Sequence, residues 1–322
     1  MTTTAPQPAS VSVTLPVAQA IDRVKRVLFQ PFDLGKWFAI GFCAWLATLG
    51  EGGWGGFHFN FPSGHRHGNA RHAVEDAWRY VLNNLHWIVP VVAVVVLLGV
   101  ALCVVITWLS SRGQFMFLHC VALDKAEVQA PWHKFERQGN SLFGFRLVLG
   151  LIGAALILPL VALVVILIVG MVQRDAATVA GILGTIGLGL ALLAAALAFG
   201  LIAKLTRDFV VPIMFLHGRR CWDAWREFSA VLSANFGRFA LYVLFQLVLG
   251  FAIGILVLTV VIVTCCCAGC LMAIPYLGTV LLLPVLMFER AYSLHYLAQY
   301  GPAFDVFSVA GPATPGATRP GA

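Results

Sequence analysis

The sequence predicts an all-α, polytopic transmembrane helical bundle. Six spans form three helix hairpins, each preceded by an amphipathic helix in the plane of the cytoplasmic membrane face. Three observations predict this. Hydrophobic residues make up 60% of the 322 and charged residues 11%, where soluble globular chains carry about 25% charged. The charges cluster: the 50 residues from Phe239 to Phe288 contain no Asp, Glu, Lys or Arg. Basic residues concentrate in alternate polar segments. This composition excludes a soluble enzyme, a secreted disulfide scaffold and a disordered chain.

Residues 1–14 are polar and uncharged, read as a disordered tail with no cleaved signal peptide, so the first span serves as the insertion signal. The first apolar run, Trp37–Gly50, has 14 residues, and a span needs about 20. It crosses if it starts near Pro31 or continues past Glu51; a re-entrant segment is the alternative. The second span is centred on Trp87–Leu109, the third is Leu147–Gln173 and the fourth Ala176–Ala203. Phe239–Phe288 supplies the last two, with a tight turn near Cys265–Pro275. Residues 306–322 are rich in Pro, Gly, Ala and Thr, a second disordered tail. Residues 15–305 form one membrane domain.

Of the 21 Lys and Arg residues, 17 fall in residues 1–36, 110–146, 203–238 and beyond 289. The positive-inside rule puts these segments and both termini in the cytoplasm of a bacterial inner membrane. The net charge of +7 is then a property of that face and calls for no nucleic-acid partner.

The segments before the odd spans resemble one another. Val17, Ala20, Ile21, Val24, Val27 and Leu28 recur at helical spacing beside Arg23, Lys25 and Arg26. Trp132, Phe135, Phe143 and Gly144 match Trp225, Phe228, Phe236 and Gly237, while Ala20, Val27, Leu28 and Phe32 match Ala224, Val231, Leu232 and Phe236. The pattern suggests repeats over 15–111, 120–216 and 217–300; composition common to any pre-membrane segment is the alternative. Large aromatics flanked by arginine suit the headgroup boundary. Arg23, Lys25, Arg26, Trp132, Arg219, Arg220, Trp222, Trp225 and Arg226 are therefore the candidate contacts to anionic lipid headgroups. Trp222, Trp225, Phe228 and Leu232 are expected on one helix face.

His58, His65, His67 and His72 lie in the first outer loop, where imidazoles bind zinc or copper or sense pH; a polar, Gly-rich loop is the plainer reading. Cys265-Cys-Cys-Ala-Gly-Cys270 offers a disulfide or copper site, or simply small residues for a tight hairpin. The other cysteines lie in or beside apolar runs as small buried hydrophobes. Arg112 with His119, Arg207 with His217 and Arg290 with His295 follow the even spans, as a threefold ring of cations toward lipid phosphates or as coincidence. Gln246 is the one strongly polar side chain expected deep in a span. Gly250 and Gly254 read as close helix packing, and Pro90, Pro159, Pro212, Pro275 and Pro284 as kinks. No phosphate loop, nucleophile elbow, HExxH or catalytic acid pair occurs, so no enzyme and no cofactor are expected.

The motifs WLSSRGQFMFLHCV, APWHKFERQGNSLFGF, RDFVVPIMF, AWREFSAVLSANFGRF and LLLPVLMFERAYSLHYLAQYGP resemble an uncharacterised family of bacterial polytopic membrane proteins, over about residues 15–305. The layout is more distantly similar to the membrane domain attached to some glycerophosphodiester phosphodiesterases. Their catalytic domain is absent, so the resemblance implies no phosphodiesterase activity. Basic, aromatic interfacial helices without catalytic or ion-path residues point to a non-enzymatic membrane protein that organises lipid or a membrane-protein partner. The alternatives are a permease or export component for an apolar or lipid-like substrate, and a metal-handling protein.

Overall fold

The computed structural model describes residues 11–49, 80, 83–173, 179–264 and 267–308. Among them the regular structure is helical, with no strand. Four helices are long and apolar enough to cross a membrane: Leu85–Leu123, Glu136–Met171, Val179–His217 and Phe236–Val263. The first apolar run is the helix α2, Leu34–Thr48, of 15 residues, which rises only about 22 Å. Asp33 caps it by accepting the Gly35 amide at 2.8 Å.

The long helices are α3 (Leu85–Leu123) and α5 (Glu136–Gln173), with the short α4 (Gln129–Lys134) between them. Next come α6 (Val179–Leu205) and α7 (Val211–His217), joined through a π-helical turn over Thr206–Val210. The helix α8 (Cys221–Ala234) leads into α9 (Phe236–Val263). The sixth apolar run is divided into α10 (Cys267–Ala273), α11 (Pro275–Leu281) and α12 (Leu283–Ala298). Pro90 and Pro159 sit inside unbroken helices. Pro275 and Pro284 occupy first turns, where a missing N–H costs nothing.

Two compact units result. The first comprises, of the described residues, 11–49, 108–143, 205–264 and 267–308. It holds α1 (Leu15–Val24), which buries Pro16, Ala20 and Val24 and packs along α12. Ser12 and Gln299 bond reciprocally at 2.8 and 3.0 Å, and the Tyr292 hydroxyl donates to the Val13 carbonyl at 3.0 Å. An aromatic core fills the unit. Phe209 stacks on Phe228 at 5.2 Å, Tyr242 on Tyr292 at 5.7 Å, and Tyr242 lies 4.6 Å from Tyr296. Buried tyrosines need partners for their hydroxyls, and Tyr296 donates to the Arg238 carbonyl at 2.9 Å. The backbones of α2 and α3 nearly touch at Gly113, where a Cβ would stand 2.5 Å from the Leu46 carbonyl carbon.

The second unit comprises residues 58–107 and 144–204. It is aliphatic and loosely packed. Gly153 faces the Phe199 ring and Gly184 faces Leu167, both at ordinary van der Waals distances. Thr185 returns its hydroxyl to the Gly181 carbonyl at 2.9 Å, so this polar group is satisfied within its own helix.

Candidate functional site

A polar cleft lies within the first unit, lined by residues of α2, α3, α9, α12 and the π turn. The π turn has a local cause. Pro212 has no N–H to give the Asp208 carbonyl, and its ring crowds that carbonyl. The helix widens over Thr206–Val210 and the Val211 amide bonds back to Thr206. Neither Val211 nor Pro212 then donates to the Arg207 carbonyl. The Arg290 guanidinium, from α12, donates to it instead. Single π turns recur at functional sites, and this one carries adjacent charges, Arg207 and Asp208.

Asp208 is 4% exposed. One carboxylate oxygen lies 3.4 Å from Arg207 Nε and the other accepts the Tyr242 hydroxyl at 3.1 Å. Gln246, one helical turn along α9, donates to the Tyr242 oxygen at 3.0 Å. Thr48, Gln114, Glu289 and Arg290 complete the polar lining; Ala47, Phe117 and Leu286 are its apolar part. The space is about 40 Å³. Two cations and two carboxylates make the wall electrically neutral but strongly dipolar. Ionisable groups among membrane helices are costly and mark functional sites.

Span boundaries drawn where apolar runs meet charges miss this cleft, because they put Arg207, Asp208, Glu289 and Arg290 outside the spans. A sequence signal exists: the apolar pattern resumes on both sides of each charged pair, at Phe209–Leu216 and Ala291–Leu297. Gln246, expected alone, has these groups as neighbours.

The nine candidate headgroup residues divide. Lys25, Arg26, Arg219, Arg220, Trp222 and Arg226 are exposed, Trp222 at 62%. The other three turn toward protein. Arg23 donates to the carbonyls of Val121 at 2.8 Å and Ala122 at 2.6 Å, and burial lowers its pKa. Arg112 lies against Trp132 and Trp108, with its guanidinium carbon 5.0 and 4.6 Å from their ring centroids, and the two rings meet edge-on at 6.0 Å. Trp225 is half-buried, edge-on to Phe228 at 5.7 Å. On α8 the buried stripe is Cys221, Ala224 and Phe228. Trp222 therefore leaves the face expected for it and stands one turn from Arg226 on the exposed side.

Of the supposed ring of cations His217 is exposed, and the other members turn toward protein. Arg112 lies against the two indole rings, Arg207 and Arg290 line the cleft, and His295 stacks on Phe307 at 4.3 Å. Burial and the neighbouring Arg23 push His295 down to about 4. Cys43 and Cys120 are buried with their sulfurs 3.9 Å apart. Gly250 and Gly254 meet nothing within 4 Å. His58, His65, His67, His72, Cys265 and Cys266 lie outside the described residues. Among the described residues no group of three or more metal-ligating side chains occurs.

Residues 12–297 match DUF7544, a family of unknown function, and the chain belongs to that family. This agrees with the resemblance to an uncharacterised family. No curated protein and no solved structure matches the chain.

Proposed function

We propose that this member of a family of unknown function is a non-enzymatic integral membrane protein that organises anionic lipid headgroups at its cytoplasmic face. One observation carries the reading: α8 is anchored by Cys221, Ala224 and Phe228 while presenting Trp222 with Arg219, Arg220 and Arg226 outward. A rigid helix with a buried stripe and an exposed Trp–Arg face fits the bilayer boundary. Under this reading the four long helices span. The basic segments lie in the cytoplasm of a bacterial inner membrane.

The test is lipid retention by the full chain from vesicles of mixed zwitterionic and anionic phospholipid. Each basic residue near such a surface contributes about 1 kcal/mol. Reversing Arg219, Arg220 and Arg226 to Glu is expected to cut anionic-lipid retention at least about tenfold. Unchanged retention overturns the reading.

A second reading, a permease for a lipid-like substrate, is favoured by the polar cleft among apolar helices. Reconstituted vesicles that move no labelled phospholipid would remove it.

A further inference from the structure

We infer that the elbow between α1 and α2 is a lipid-inserting wedge. Its Phe29, Phe32 and Leu34 enter the cytoplasmic leaflet beneath anionic headgroups held by Lys25 and Arg26. The inference rests on the membrane reading above but uses no residue of α8. Three features lead to it.

The arm that leads into the elbow has a buried side and an apolar exposed side. Through α1 and the π-helical turn Lys25–Phe29, Ala20, Val24, Val27 and Leu28 are buried. Ile21, Lys25 and Phe29 follow one another at four-residue intervals and are exposed, as are Arg26, Phe32 and Leu34. Phe29, Phe32 and Leu34 are 49, 58 and 60% exposed. Large apolar side chains gathered at one exposed turn mark a contact surface.

The rings are braced outward. Trp37 meets Phe29 edge-on at 5.4 Å and Phe32 at 5.5 Å. Its indole N–H donates to the Val280 carbonyl of α11 at 2.9 Å, which ties the elbow to the core. Asp33, the one acid between Arg23 and Phe38, is engaged with the Gly35 amide. The apolar side chains are thus positioned before they meet a partner, which reduces the ordering cost of contact.

The partner is the bilayer rather than a protein groove. Leu34, Phe38 and Phe42 are exposed at four-residue intervals, so the apolar surface of the elbow continues along α2 into the hydrocarbon. Of the nearby cations, Arg23 is turned to the α3 carbonyls and Lys36 bonds Asp124 at 2.8 Å. Lys25 and Arg26 remain exposed within about a turn of Phe29. Long basic side chains reach up to phosphates while neighbouring rings sit roughly 5–10 Å into the headgroup–acyl boundary.

The experiment places the photo-crosslinking residue p-benzoylphenylalanine at Phe32, and separately at Phe29, in the full chain. The protein is reconstituted in vesicles holding equal amounts of phosphatidylcholine and phosphatidylglycerol with identical acyl chains, irradiated, and read by mass spectrometry. Both positions are expected to carry lipid adducts, with phosphatidylglycerol enriched about threefold or more by two basic residues near the surface. Reversing Lys25 and Arg26 to Glu is expected to bring that ratio to one or below and to leave phosphatidylcholine adducts in place. Absence of lipid adducts at both positions, in protein that floats with the vesicles, overturns the inference. Equal labelling of the two lipids overturns it as well, and so do adducts to another protein in place of lipid when intact membranes are irradiated. Protein that does not float overturns the membrane reading itself. Adducts that persist after the α8 charge reversal support the elbow as a separate surface, and adducts lost with it overturn that separation.

Discussion

The two units of the chain solve different packing problems. Residues 108–143 and 205–308 carry the aromatic, charged and close-approach positions, and there side chains such as Tyr242, Tyr292, Phe209 and Phe228 are fully buried. Residues 83–107 and 144–204 are aliphatic, and Leu97, Leu151, Ile166 and Leu197 are each more than 60% exposed. The most apolar stretches of the four long helices are between 0 and 11% buried. Hydrocarbon solvates Leu and Val as well as another helix does, so apolarity alone gives membrane helices no reason to associate. Where the chain does close up, it uses glycine contacts, aromatic stacks and satisfied polar groups. Hydropathy says where the chain enters the bilayer, and these other residues say where it packs.

The largest expected effect breaks the comparison at its tightest point. Gly113→Ala puts a methyl group into the α2 backbone and is expected to cost about 2–3 kcal/mol, read as a lowered Tm in detergent. Gly187→Ala, in the aliphatic unit with open space around it, is expected to be neutral or stabilising by up to about 1 kcal/mol. Equal losses at both positions would erase the distinction between the units.

Tyr242→Phe tests the polar side of the same contrast. It removes the hydroxyl that links Asp208 to Gln246 while keeping the ring stack. The expected loss is about 1–3 kcal/mol, because a buried carboxylate loses a donor. Thr185→Val in the aliphatic unit removes a hydroxyl that bonds the Gly181 carbonyl one turn back and lies 4.0 Å from the Met171 sulfur, and is expected to change stability by less than about 0.5 kcal/mol.

A separate effect is a pH dependence. His295 has its pKa pushed down from 6.5 to about 4 in the folded chain, by burial first and by Arg23 second, against an opposing pull from Asp305. The unfolded chain therefore takes up this proton first as pH falls. The contribution of His295 to stability is fully present above about 6.5, declines between 6.5 and 4, and is constant below that. Thermal unfolding of wild type and His295→Phe across this window measures it. The variant should lose less stability on acidification, and parallel curves would assign the pH dependence elsewhere.

Helix class and the approximate course of the apolar runs were legible because they depend on long uncharged stretches. Trp37–Gly50 corresponds to the helix Leu34–Thr48, and Leu147–Gln173 lies within Glu136–Gln173. Helix ends were less legible. The second span, expected to Leu109, continues to Leu123, and the fourth continues through a π turn to His217. A charge ends an apolar run, but a helix continues through a charge that finds a partner. Arg112 finds two indole rings and Glu136 at 3.0 Å. Arg290 finds the Arg207 carbonyl 83 positions away, and Arg207 has the carboxylate of its neighbour Asp208 within 3.4 Å. Those partners are set by three-dimensional packing, which hydropathy does not register. The same limit applies to α8, where tryptophan and arginine announce an interfacial helix but the small Ala224 and Cys221 decide which face is buried.

The reciprocal clasp of Ser12 with Gln299 joins residues 287 positions apart, and Tyr292 reaches back to Val13 across 279. The surface that α1 buries is presented by α12, a helix made nearly three hundred residues later. During synthesis the amphipathic N-terminal helix emerges long before that surface exists. Until then its apolar stripe can be covered only by the membrane interface or a chaperone. Closure of the aromatic core is consequently a late step, with high contact order, and the interval before it is when the nascent chain is most exposed to misassembly.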